Sequence, residues 1–286
     1  MSAKTEGPGA TKKLLENQLV GSIAVPIAIV LVGALVIFGV TKMLSSERSY
    51  KDLVREMESK TFGNRWVAAY ELSKVISSSS IPEDELPWLV EKLSQIYKTS
   101  TDNRTKNFII VALGTTHHEQ TLPTLEMALS DSHSETKFNA IAAIGRMPVG
   151  VKFDWKKLEK FLSEDDSGMK QAAILALATH RVETSENLIV ESLSTDNRGL
   201  RYAAAMGLIN YKNEKALTTL KEVLELPEQL EGLKPKEVFG LKMSILEAIS
   251  KNKWPVLIDN ITQIAKDDKN LKLVSKAREV LNELKK

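Results

Sequence analysis

The feature that most restricts this chain is a recurring segment that opens on a basic residue and continues with small and apolar ones. It begins at Arg65 (RWVAAYELS), Lys106 (KNFIIVALG), Lys137 (KFNAIAAIG), Lys170 (KQAAILALA), Arg201 (RYAAAMGLI), Lys242 (KMSILEAIS) and Lys276 (KAREVLNEL), at spacings of 41, 31, 33, 31, 41 and 34 residues. Three residues beyond the basic one stand Ala68, Ile109, Ala140, Ala173, Ala204 and Ile245, and seven beyond it Leu72, Leu113, Ile144, Leu177, Leu208 and Ile249. Apolar residues three, four and seven apart share one face of an α-helix. Position six is small, as Ala112, Ala143, Ala176, Gly207 and Ala248, which lets another helix backbone approach. The last copy fits less well: its third and seventh positions are Glu279 and Glu283, with Val280, Leu281 and Leu284 as apolar residues, so its face is rotated or the unit is a divergent end. Units of this period cannot bury an apolar face alone and stack on their neighbours as a solenoid.

A second, more variable amphipathic segment precedes most copies, for example ELPWLVEKLSQIY from Glu85, TLPTLEMALS from Thr121, DWKKLEKFLS from Asp154 and ALTTLKEVLE from Ala216, with Glu222 on its outer face. Leucines recur three and four apart, and Pro87 and Pro123 fall near segment starts, where a helix needs no N–H. The unit is therefore helix, short turn, helix. Asp131, Asp165 with Asp166, and Asp196 precede the basic residue by four to six positions, in the turn where such a side chain caps the next helix. The two spacings of 41 mark insertions, SSSSIPED after Ile76 and LPEQLEGLKPKE between Leu226 and Glu237, which map to surface loops. Pro227, Gly232 and Pro235 prevent a continuous helix in the second.

The pairing of LPxLxxxLxD with (K/R)xxAxxAIG resembles HEAT repeats, especially the short bacterial HEAT-like repeats also found in phycobilin lyases. The resemblance covers about Ser49 to Lys286 and is strongest between Leu86 and Asn210. It implies an all-α fold, a right-handed α-solenoid of about seven HEAT-like helical hairpins. At about 8 to 10 Å per hairpin the groove would be about 60 to 70 Å long. The resemblance also implies an inter-repeat ladder of turn aspartates and basic residues, here Asp131, Asp166 and Asp196 with Lys137, Lys170 and Arg201, lapsing at Arg65, which no Asp closely precedes. Second helices would line the concave side, which makes Asn107, Phe138, Gln171 and Tyr202, one residue beyond the basic row, the candidate partner-binding residues.

Ahead of the repeats, NQLVGSIAVPIAIVLVGALVIFGVT, from Asn17 to Thr41, holds no charged residue. As a helix at about 1.5 Å per residue, Val20 to Val40 would span about 30 Å, the hydrocarbon thickness of a bilayer. The run is longer than the about 7 to 15 apolar residues of a signal peptide, and a proline such as Pro26 is tolerated in a membrane helix. The expected organisation is a polar tail over residues 1–19, one transmembrane helix over 20–42 and a HEAT-like repeat domain over 43–286, in a single-pass membrane protein. Lys4, Lys12 and Lys13 before the run nearly balance Lys42, Arg48, Lys51 and Arg55 after it. The paired lysines incline the amino terminus to the inside and the repeats to export.

Composition excludes more than it assigns. With 39 Lys and Arg against 37 Asp and Glu and no basic tail, nucleic acid is not an expected partner. With no cysteine, disulfides, thiolate metal sites and cysteine nucleophiles are impossible. His117, His118 and Glu119 fall in a turn, and His133 and His180 lie in other repeats without metal-ligand spacing. Phosphate-loop, HExxH and GxSxG motifs are missing, and Trp66, Trp88, Trp155 and Trp254 read as core anchors. No catalytic, cofactor-binding or metal residue is assigned, and no cofactor is expected. The resulting expectation is a membrane-anchored, non-catalytic scaffold or adaptor that binds another protein through its solenoid surface and the lipid bilayer through residues 20–42. The alternative, suggested by the phycobilin-lyase resemblance alone, is a tetrapyrrole-handling lyase or chaperone-like protein.

Overall fold

The computed structural model describes residues 48–59, 65–78 and 81–285. The chain divides into two units, Met1–Ser49 and Tyr50–Lys286. The expected transmembrane helix over 20–42 lies outside the described residues, and among the described residues no helix is long and apolar enough to cross a membrane.

Within Tyr50–Lys286 the helices follow one another in pairs. They are α1 (Tyr50–Glu58) and α2 (Arg65–Ser77), α3 (Leu86–Thr99) and α4 (Asn103–Thr116), α5 (Leu122–Ala128) and α6 (Ser134–Gly145), and α7 (Lys156–Glu159) and α8 (Ser167–Thr179). The series continues with α9 (Glu186–Glu191) and α10 (Arg198–Leu208), α11 (Leu217–Leu224) and α12 (Pro235–Lys251), and α13 (Ile258–Asp267) and α14 (Leu271–Glu283). No strand forms among the described residues, which hold only an isolated bridge between Leu230 and Leu233. The chain is thus an all-helical repeat fold of the solenoid kind. Pro87 and Pro123 sit in the first turns of α3 and α5, where the missing N–H removes no helical hydrogen bond.

The apolar period sets the core. In the first six copies every residue at positions three and seven, from Ala68 and Leu72 to Ile245 and Ile249, is 0% exposed. Successive second helices α2, α4, α6, α8 and α10 pack side by side, and the contact is made by small residues on both partners. A Cβ on Gly114, at position eight, would stand 2.5 Å from the Cβ of Ala143, at position six of the next copy. One on Gly145 would stand 2.7 Å from the Cβ and 2.9 Å from the Cα of Ala176, so the close approach requires glycine there. The pair recurs reversed, with Ala178 before Gly207. It ends at Ile209, a fully buried residue at position eight, and there α10 and α12 pack only sparsely.

Helix caps define the register. Asp102, Asp166 and Asn197 accept hydrogen bonds from the opening amides of α4, α8 and α10, each four residues before its basic residue. Asn270 caps α14 through Lys272 N and Leu273 N, which places Val274, not Lys276, in the basic column. In this register Ala277, at position three, and Val280, at position six, are both 0% exposed, while Leu281, at position seven, is half-buried, so the last copy is a divergent end that the Lys276 alignment displaced by two residues. The hairpin exits also repeat. His117, Arg181, Lys212 and Lys253, eleven residues beyond the basic column, have φ of 52°, 50°, 56° and 47°. In the third copy this position is Pro148, whose ring excludes positive φ, and the chain takes a longer path to α7. The 227–236 insertion is a mostly exposed loop as far as Lys234, where α12 takes over; it turns at Gly232, φ 80°, and is held by Arg198 Nη2 donating to the Glu231 carbonyl at 3.0 Å.

Candidate functional site

On the edge formed by the turns between paired helices, Lys106 Nζ lies 3.1 Å from Asp131 Oδ2. The same carboxylate accepts from Tyr97 Oη at 2.8 Å and from the His133 amide at 3.0 Å. Burial works to raise the Asp131 pKa, but the His133 amide, the Tyr97 hydroxyl and the Lys106 ammonium outweigh it and hold the group below its ordinary range. Burial first, then Asp131, drive the Tyr97 hydroxyl upward. Lys242 and Asp268 form the corresponding pair at 3.9 Å. The ladder therefore runs forward, from the basic residue of one hairpin to the turn of the next.

This corrects the expected pairing. Asp166 caps α8, and Asn197 rather than Asp196 caps α10. Among the described residues Lys137 and Lys170 form no ion pair, while Arg201 turns to the Thr195 carbonyl at 3.2 Å and to Glu222 at 3.1 Å. The residue three positions before a second helix decides whether a rung forms, and it is Asp only as Asp131 and Asp268; elsewhere in the sequence it is Phe62, Ser100, Glu164, Thr195 or Gly232.

The structure separates the four candidate partner-binding residues. Asn107 is buried and accepts from Asn139 Nδ2 at 2.7 Å. Tyr202 is buried and donates to Glu222 Oε1 at 2.7 Å; burial, then Glu222, push its pKa up to about 12. Gln171 is half-buried beside Gly199, and Phe138 is 41% exposed. Position one stands about 100° from the basic column, on the flank that meets a neighbouring helix, so it does not make one open row.

The outward face instead belongs to positions five and nine, opposite positions three and seven, while position two is half-buried or, as Ala203, buried. At the amino-terminal end of the array a chain of rings joins this face to its flank: Trp66, at position one, stacks on Phe108, at position two, at 6.4 Å between centroids, and Phe108 meets Tyr70, at position five, at 5.2 Å. Arg104 Cζ lies 4.8 Å from the Trp66 ring and Lys74 Nζ 4.0 Å from that of Tyr70. Leu175, exposed on α8, lies at the same position as Tyr70. A helical wheel centred on the buried positions locates this face; counting from the basic residue misses it. Trp254 is buried as expected, but Trp88 is exposed and meets Tyr50 edge-on at 6.4 Å, so it is not a core anchor. His118 accepts from the Gln120 amide in its turn, and the described residues contain no group of metal-ligating side chains.

Residues 155–231 match the family model for HEAT repeats. Among solved structures, the chain is similar to the complex of CpcE and CpcF of phycocyanin lyase from Nostoc sp. PCC7120, at 15% identity over 83% of this chain and 94% of that one, with a TM-score of 0.58. It is also similar to YibA of E. coli, at 16% identity over 81% and 82%, TM-score 0.50, and to a designed armadillo repeat protein, at 15% identity over 81% and 98%, TM-score 0.42. At such identities the first two likenesses show the helical-repeat fold alone. No curated protein matches the chain.

Proposed function

We propose that this chain is a membrane-anchored, non-catalytic scaffold or adaptor, a right-handed solenoid of HEAT-like hairpins that binds another protein and is held at a bilayer by residues 20–42. Repeats of this kind generally bind proteins or peptides. The observation that carries the reading is the ring chain of Trp66, Phe108 and Tyr70 with Arg104 and Lys74 over it. Aromatic rings with flanking arginine are the side chains on which protein interfaces concentrate their binding energy. The anchoring part rests on the uncharged run from Asn17 to Thr41.

The test places a photo-crosslinking side chain at Tyr70 or Phe138 of the full chain in its native membranes, with Glu191 on α9 as control. Discrete protein adducts from the first two sites and none from the third are expected. Adducts from none, or equally from all three, would overturn the protein-binding reading. Under carbonate extraction the chain should remain in the pellet, and its release would refute the anchor. Added bilin should produce no saturable visible band; one at micromolar protein would favour tetrapyrrole handling.

A further inference from the structure

A cleft opens between hairpins six and seven, at the rung of the ladder that closes least well. Its volume is about 380 Å³, with Val238, Phe239 and Leu273 on the apolar side and Lys242, Asp267 and Asp268 on the polar side. A second cleft of about 650 Å³ shares Lys242, Asp267 and Asp268, so the two flank one charged pair and together suit an extended chain better than a compact molecule.

Lys242 is 8% exposed, and its ammonium donates no hydrogen bond to any described residue; its nearest carboxylate oxygen stands at 3.9 Å. At the equivalent rung Lys106 reaches Asp131 at 3.1 Å and hydrogen-bonds it. The ammonium is not fully enclosed; it opens onto both clefts, where a bound acceptor would take up its open donors. The rim has the opposite sign. Glu225, Glu228, Asp259, Asp267 and Asp268 outnumber Lys221, Lys242 and Lys269 around the two clefts. The matching cleft between hairpins three and four, about 370 Å³, balances Lys137, Lys157 and Lys160 against Glu126, Asp131 and Glu164, so the acidic excess is a local feature and not a property of every junction.

We propose that this cleft receives an extended, basic segment of a partner protein, with an apolar side chain between Val238, Phe239 and Leu273 and a backbone carbonyl accepting from Lys242. The acidic rim attracts the Lys or Arg residues flanking that anchor. The inference rests on the protein-binding reading and gives it a second, chemically distinct contact.

The probe is a fluorescent peptide of alternating lysine and leucine, titrated into the full chain and followed by anisotropy, with glutamate-for-lysine and serine-for-leucine peptides as controls. The lysine–leucine peptide should bind saturably and more weakly as salt rises, and both controls should fail. Lys242→Met should weaken it about tenfold, the equivalent of one charge-assisted hydrogen bond. Asp267→Asn, an exposed change that leaves the core intact, should weaken it about threefold at low salt, whereas Lys160→Met in the matching cleft should leave it unchanged. Binding of either control peptide at equal affinity, unchanged affinity in Asp267→Asn, or an equal loss in Lys160→Met would overturn the proposal. If the peptide fails while crosslinks from Tyr70 and Phe138 persist, only this cleft is refuted; if both fail, the protein-binding reading falls with it.

Discussion

A single turn residue shows how little of a side chain's role its column position settles. Asp131 holds Lys106, Tyr97 and its own turn together, while Lys170, in the same column as Lys106, forms no ion pair among the described residues. Lys106→Met should therefore lower stability by about 1 to 3 kcal/mol, the cost of leaving a buried carboxylate short of a partner. Lys170→Met should cost under about 0.5 kcal/mol. Urea unfolding of both variants checks this, and equal midpoints would show that the rung contributes nothing. Glu222 carries the same lesson: it lies on an outer face, yet it accepts from the buried Tyr202 and from Arg201. His180 adds a pH dependence. Its ring packs on Trp155 at 4.3 Å, and burial lowers its pKa below 6.5, the nearby Gly145 and Ile144 carbonyls opposing without reversing it. The unfolded chain then binds the proton more readily, so this contribution is full above about pH 6.5 and is lost as pH falls through the folded value. Thermal melts from pH 8 to 5 should show a decline that His180→Gln reduces, and identical slopes would exclude His180 as the cause.

At the scale of the helix, close packing depends on which residue meets the neighbouring helix. Gly145 has the backbone of Ala176 directly over it, so Gly145→Ala forces the two helices apart and should cost about 1 to 3 kcal/mol. Gly240 is its counter-example. It lies inside α12 with nothing within 4 Å of an added Cβ, so Gly240→Ala should raise stability by about 0.5 to 1 kcal/mol, because alanine restricts the unfolded chain and favours the helix. Chemical denaturation that moved both variants in the same direction would contradict the packing seen at these two sites.

Across the repeat unit, stability is expected to be uneven. The small-residue contact stops at Ile209, and at the junction to α12 the shared apolar core is supplemented by polar bridges. Arg181 donates to Asn252 at 2.7 Å, and Asn252 donates to Asn210 at 3.0 Å. In a linear array each unit is held by its neighbours alone, so α12 to α14 should open as one block before α4 to α8. Native-state hydrogen exchange should show lower protection in that block, and Asn252→Ala should lower it further. Uniform protection along the repeats would mean that the junction is as strong as the others.

The amino-acid sequence by itself determined the hairpin, the repeat and the core columns, because burial of one helical face leaves a period of 3.6 that survives substitution of one apolar residue by another. Ala68, Ile109 and Leu177 were legible for that reason. It also showed where the insertions lie, since Pro and Gly restrict the backbone locally. Only the tertiary structure decided which lysine meets which aspartate, that Asn107 and Tyr202 are buried while Phe138 is open, that Val274 rather than Lys276 occupies the last basic column, and that Lys242 lies beneath a cleft. Each of these depends on the distance between side chains on different hairpins, about thirty residues apart along the chain. That distance follows from how closely residues such as Gly145 and Ala176 allow two helices to approach. A one-dimensional pattern records which face is apolar; it does not record the gap between two faces, where the pairing and the candidate sites are made.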